Sequence, residues 1–222
     1  MKNKYIVVGS RGVIGSEISS QVKKRGNNVY NLYAKDFIKL LSTERIQYIT
    51  EFFHSNNIVY SKDSRLHIIL AHRIRETDTK LALWNETIIS TDLIDIIADL
   101  GYEVRVIVIG SITGRLIDSK SSPAYHYCKD LQKSAVRYSI LKKNVCMNLI
   151  ELSSFIKFDP SNWDEKYTRA VELEKCNLEQ TEIPKLEDIA NICISLLELP
   201  VTPRGQIYTF DNGSSLLQKS FI

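Results

Sequence analysis

The sequence is short of several things that would each have pointed to a different kind of protein. Charge of one sign is missing: 29 Lys and Arg stand against 26 Asp and Glu, interspersed, for a formal net charge of +3. No basic face capable of tracking a phosphate backbone is indicated, so a nucleic-acid partner is not expected. Long apolar runs are absent as well. Nothing approaches the ~20 residues of a membrane span, and the run Tyr5 to Val8 is too short for a signal-peptide core. Cysteine is sparse: Cys128, Cys146, Cys176 and Cys193 lie 17 to 30 residues apart, with no C-x-x-C pair and no neighbouring His cluster. They read as reduced, buried thiols of a cytoplasmic protein, and no metal site is expected. Internal repeats and low-complexity linkers are also lacking, so residues 1–222 are read as a single domain.

What is present is an alternation of two hydrophobic periods. Lys4 to Val8, Asn28 to Ala34, Leu66 to Ala71, Val104 to Ile109, Val145 to Leu152 and Gln206 to Phe210 read as strands. Ser16 to Arg25, Thr43 to His54, Thr79 to Leu100, Tyr125 to Leu141 and Pro184 to Leu197 read as helices, with Ser42 or Thr43 as the cap of the second. The runs LHIILA and VRVIVI are almost continuously apolar, as in parallel strands covered by helices on both faces. The alternation predicts an α/β fold, a single Rossmann-type, doubly wound and mostly parallel sheet. Lys35 to Leu41 is too short to hold a full helix plus a third strand. The weakly patterned, charged stretch 157–184 reads as either a mobile surface loop or a lid over a site.

Two places carry chemistry. Gly9-Ser10-Arg11-Gly12-Val13-Ile14-Gly15 lies where the first strand becomes the first helix. There Gly9 permits a tight turn, Gly12 a close backbone approach to a pyrophosphate, and Gly15 close packing of helix on strand, with free N–H groups at the helix start. The end of the second strand carries Tyr33 in place of the carboxylate that would hold a ribose 2′-hydroxyl. With Arg11 and Lys35 nearby, charge complementarity favours NADP(H) over NAD(H). Asp36 is the alternative ribose ligand should the strand run further. The second place is Tyr125 and Lys129, at i and i+4 on one helix face. A phenol titrates near ~10, and a cation beside it in a desolvated cleft lowers that value enough for acid or base work near neutrality. A second such pair, Tyr138 and Lys142, follows no strand end and is read as surface. Ser111 closes the strand before Tyr125, at the sheet edge where open α/β folds bind ligands, and can donate to a substrate oxygen.

These pieces, in this order, resemble the short-chain dehydrogenase/reductase family over nearly the whole chain: the Gly9/Gly12/Gly15 turn, Ser111, Tyr125 with Lys129, and a closing segment Gly205 to Gly213 after the helix that opens at Pro184. The resemblance implies hydride transfer between NADP(H), or alternatively NAD(H), and a small-molecule carbonyl or alcohol. It implies that Tyr125 exchanges the proton, Lys129 holds the nicotinamide ribose, Ser111 orients the carbonyl, and Asn85 holds a water in the proton relay. Gly9, Ser10, Arg11, Gly12, Ile14, Gly15, Tyr33, Lys35, Ala71 and Lys129 would line the cofactor. It further implies a homodimer or homotetramer built on the two long helices and the last strand, and it favours the lid over the mobile loop for 157–184. The sequence departs from the family at Leu70-Ala71-His72-Arg73, which keeps only the Ala of Asn-Asn-Ala-Gly, at Leu152-Ser153 in place of Pro-Gly, and at Lys157 in place of Thr. An impaired dinucleotide-binding module or sensor, and a nucleotide-sugar-modifying enzyme on the same fold, are therefore the alternatives. His72 and His126 are read as structural histidines.

Overall fold

The computed structural model describes residues 3–59, 65–111, 122–152, 168 and 185–210. Six strands, β1 (Lys4–Val8), β2 (Asn28–Leu32), β3 (Leu66–Leu70), β4 (Val104–Ser111), β5 (Val145–Leu152) and β6 (Ile207–Phe210), form one sheet in the order β2-β1-β3-β4-β5-β6. Every neighbouring pair is parallel. The helices are α1 (Val13–Lys24), α2 (Ala34–Ile38), α3 (Ser42–Ser55), α4 (Thr79–Thr87), α5 (Leu93–Asp99), α6 (Pro123–Tyr138) and α7 (Leu186–Glu198).

Strand alternation sorts the core into two layers. Ile6, Val8, Ile68, Leu70, Val106, Val108 and Leu149 face one side with Ile49 and Phe53 of α3 and Ile94 and Ile97 of α5. Tyr5, Val7, Ile69, Ile107, Ile109 and Ile150 face the other with Ile18 and Val22 of α1 and Ile189, Cys193 and Leu197 of α7. A sheet buried on both faces explains why β3 and β4 carry no polar alternation beyond His67 and Arg105.

The order of strands places the site. From β1 the chain moves outward to β2, then crosses back over β1 through α2 and α3 to β3, so winding reverses between β1 and β3. Open α/β sheets leave a crevice at the carboxyl ends of the strands at such a point. The register aligns Val8 with both Leu32 and Leu70, and Ser111 with Leu152, so Gly9, Tyr33, Ala71 and Ser111 emerge along one edge.

Several expected boundaries move. α1 begins at Val13, three residues earlier than its periodicity suggested, because Gly12 is its cap. α3 begins at Ser42 with Leu41 as its cap, whose N–H donates to Glu44 at 2.7 Å, so neither Ser42 nor Thr43 caps it. Among the described residues no strand lies between β2 and β3, and the stretch after β2 forms the short helix α2. The helix expected over Thr79 to Leu100 is α4 and α5 joined by a wider π turn at Ile88–Asp92. Cys128, Cys146 and Cys193 are buried free thiols as expected. Burial pushes the Cys193 thiol up to about 12. The expected lid at 157–184 lies outside the described residues except for Thr168, as do Pro184, the closing residues 211–213 and the departures at Ser153 and Lys157.

Candidate functional site

Gly9 takes a left-handed φ of +89°, and a Cβ there would stand 2.7 Å from the Ala71 carbonyl oxygen. A Cβ on Gly15, inside the first turn of α1, would lie 2.9 Å from the Gly9 carbonyl carbon. Backbone therefore meets backbone at both positions, and only glycine lets β1, α1 and the end of β3 close to this distance. The turn is fixed by the Gly12 N–H donating to the Gly9 carbonyl at 2.9 Å. No side chain caps α1 and its first turn carries no acid, so its leading N–H groups keep their positive potential. That cradle fits a dinucleotide pyrophosphate. Beside it the Arg11 guanidinium stacks on the Tyr33 ring at 4.1 Å from the centroid. Lys35 and Asp36 are exposed in the first turn of α2, two and three residues past the strand-end position that Tyr33 takes.

At the reacting end Ser122 and Pro123 set where α6 starts. The Ser122 hydroxyl accepts from the Tyr125 N–H, and Pro123 occupies the first helical position, where its missing N–H costs nothing. This fixes Tyr125 in the first turn and Lys129 one turn later on the same face. A cavity of about 270 Å³ opens here, lined by Ile14, Ala71, Ser111, Tyr125 and Lys129 among others. Five residues singled out from the sequence, from both ends of the motif set, thus share one cavity wall. Asn85 is buried in α4 and is not among its lining residues. Larger hollows exist elsewhere, one of about 400 Å³ against α6, lined by Tyr138 and Lys142 among others, and one of about 460 Å³ beside α3, but neither holds any of the expected catalytic or cofactor residues.

Lys129 is buried, and its ammonium donates to the Ile109 carbonyl and to Gln132 Oε1, each at 3.0 Å, while lying 5.6 Å from the Tyr125 ring centroid. Burial pulls its pKa down, against the raising influence of nearby Glu86. Arg73 covers the same ring at 4.9 Å.

Two polar residues of the cavity wall, His72 and Arg73, and the groups behind them were not among the expected site residues. His72 was expected to be a satisfied structural histidine. Its Nε2 is satisfied, 3.0 Å from Glu86, but the ring also lines the cavity, and among the described residues its buried Nδ1 has no hydrogen-bond partner. Glu86 also accepts from Gln132 Nε2 at 2.9 Å and from the Ser90 hydroxyl. Burial pushes its carboxyl up, but the His72 charge and hydrogen bond, the Lys129 charge and the Ser90 hydrogen bond outweigh it and hold the pKa at about 2. The only sequence signal for His72 and Arg73 was that they stand where the family pattern is broken. Glu86 and Gln132 had none. His126 does not line the cavity. Tyr138 is exposed and Lys142 pairs with Asp95, as expected of a surface pair.

No known family profile matches the chain, and no curated protein is similar to it in sequence. Solved structures are similar to it throughout. A 3-alpha-hydroxysteroid dehydrogenase from Pseudomonas sp. B-0831, complexed with NADH, superposes with a TM-score of 0.69 at 13% identity, covering 99% of this chain and 100% of that one. A 4-hydroxyisoleucine dehydrogenase complexed with NADH gives 0.70 at 17% identity, covering 97% and 99%. A short-chain type dehydrogenase/reductase from Mycobacterium ulcerans gives 0.71 at 14% identity, covering 96% and 90%. Identities this low speak to architecture, and the chain therefore has the Rossmann-type α/β fold of the short-chain dehydrogenases/reductases.

Proposed function

We propose that the chain is a single-domain cytoplasmic oxidoreductase of short-chain dehydrogenase/reductase type, interconverting a small-molecule carbonyl and alcohol with NADP(H), or alternatively NAD(H). One observation carries the reading: Ser111, Tyr125 and Lys129 share a cavity with Ile14 and Ala71, beside a glycine turn shaped for a pyrophosphate. The Gly9 to Gly15 turn and the start of α1 would hold the phosphates, and Arg11 with Tyr33 the adenosine end, where Arg11 favours a 2′-phosphate. The dinucleotide, when bound, supplies or accepts the hydride. Tyr125 gives a proton to the carbonyl oxygen in reduction and takes it back in oxidation. Ser111 donates a hydrogen bond to that oxygen and orients it. Lys129 has three N–H donors; two go to Ile109 and Gln132, leaving one for the bound ligand. Since Asn85 lies outside the cavity wall, the inner contacts of Lys129 fall to Ile109 and Gln132.

Purified protein mixed with NADPH, NADH and a panel of ketones and aldehydes tests this through loss of nicotinamide absorbance. Turnover by the wild type should drop at least ~100-fold in Tyr125→Phe. Equal turnover in both removes Tyr125 from the mechanism. A second reading, dinucleotide binding without turnover, is favoured by His72 and Arg73 standing in the crevice where the family carries small residues. It predicts stabilisation by NADPH with no activity on any carbonyl. We also propose self-association through α4 and α6, because Leu81, Trp84, Tyr127 and Tyr138 leave apolar surface exposed there. Sizing chromatography reads that directly.

A further inference from the structure

We propose that Glu86 is the positioning residue of the reacting end, acting on Lys129 through Gln132 and on His72 directly. The inference rests on the oxidoreductase reading above and adds to it a component that neither the glycine turn nor the Tyr/Lys pair contains.

Glu86 is 1% exposed, and a carboxylate so placed is costly unless it is paired and hydrogen-bonded. It is both. Three donors converge on it from three parts of the chain: His72 Nε2 from the segment after β3, the Ser90 hydroxyl from the π turn, and Gln132 Nε2 from α6. Gln132 then turns its carbonyl oxygen to the Lys129 ammonium at 3.0 Å. An amide lying between an anion and a cation has one good orientation, NH₂ toward the carboxylate and C=O toward the ammonium, so the bridge is polar in a fixed sense and each charge reinforces it. The carboxylate also settles the His72 ring. Nε2 carries the proton it donates, which in the neutral ring leaves Nδ1 as the open position.

A purely structural ion cluster would not have to end at the cavity, because buried charges seldom stabilise a fold more than apolar packing does. Here two of the residues that Glu86 organises, His72 and Lys129, line the cavity that also holds Ser111 and Tyr125. The groups facing Lys129 are Glu86 from α4, His72 and Arg73 from the segment after β3, and Cys128 and Tyr125 from its own helix. Glu86 is the anion among them, and it is the group whose charge can be removed with least change of shape.

The test is Glu86→Gln, with Lys129 followed by NMR of its ε position in protein free of dinucleotide, and the pH profile and kinetic constants measured alongside. The Lys129 titration should move down by about one pH unit or more, as loss of a nearby opposite charge requires. Turnover should fall about tenfold with its pH profile displaced, while KM for the carbonyl substrate changes less than about twofold. Moving the charge one link along, in Glu86→Gln with Gln132→Glu, should bring the Lys129 titration and the pH profile back toward wild type. An unmoved Lys129 titration in Glu86→Gln, or a double variant no closer to wild type than the single one, overturns the proposal. Should Glu86→Gln fail to fold, Gln132→Met cuts the same bridge while leaving the carboxylate charge in place: turnover should fall about tenfold with KM changed less than about twofold, and turnover equal to the wild type overturns the proposal. If the wild type neither turns over nor is stabilised by NADPH, the oxidoreductase reading fails instead, and the NMR titration still decides whether Glu86 controls Lys129.

Discussion

The two ends of the crevice are built by different means. The turn end is made of backbone: Gly9 against Ala71, Gly15 against Gly9, and uncapped N–H groups at the start of α1. The reacting end is made of side chains, with Lys129, Gln132, Glu86 and His72 joined in a buried polar chain behind Tyr125. A site made of backbone tolerates no added atom yet has no group to titrate. One made of buried side chains keeps its shape under isosteric change and depends on charge. Dinucleotide binding and chemistry should therefore separate under mutation.

The largest separation is expected from Tyr125→Phe, which removes one hydroxyl from the reacting end. Turnover should fall by about 10²- to 10⁴-fold while the dissociation constant for NADPH, read by fluorescence titration, stays within about threefold. A matching loss of binding would mean that the ends are not independent.

Acid comes next. The Glu86 pKa is held at about 2 from an ordinary 4.5, so the fold favours the carboxylate. Its contribution is fully present above pH 4.5 and is lost as pH falls through about 2, at up to about 1.4 kcal/mol per pH unit. Urea unfolding across that window should bring wild type and Glu86→Gln together, with the wild type the more stable at neutral pH. His67, held down to about 4 by burial and by Arg105, weakens both proteins alike as pH falls from 6.5 to 4. A constant gap between the two proteins down to pH 2 would show that Glu86 is not ionised in the fold.

Gly15→Ala acts on the other end. The new methyl meets backbone that cannot swing aside, which should cost about 1–3 kcal/mol and lower the melting temperature by roughly 4–8 °C. Affinity for NADPH should weaken by more than about tenfold. A variant of wild-type stability would mean that α1 can retreat from β1. The smallest effect is expected from Arg11→Ala, which leaves the turn intact and should lower the preference for NADPH over NADH about fivefold. An unchanged ratio would move 2′-phosphate recognition to Lys35.

Legibility in the sequence follows the same division. A backbone-built site announces itself through glycine, since few other pressures place Gly9, Gly12 and Gly15 three apart at a strand-to-helix turn. The strands were legible because burial on both faces makes them continuous apolar runs. Tyr125 and Lys129 were legible because one helix sets their spacing. Glu86, Gln132 and His72 were not, because the contact that gives them meaning joins residues 14 and 46 positions apart on separate elements, and sheet order alone brings those together. The π turn at Ile88–Asp92 was invisible for a related reason: its apolar pattern is that of an ordinary helix, and only the hydrogen-bond ladder shows the wider turn.

The most direct test of the whole account is a crystal structure of the protein with NADPH. The pyrophosphate should lie over Gly12 to Gly15, the adenosine end against Arg11 and Tyr33, and the nicotinamide in the cavity with the Tyr125 hydroxyl turned toward it. A dinucleotide bound away from the glycine turn, or a nicotinamide facing a wall that lacks Tyr125 and Lys129, would contradict this arrangement.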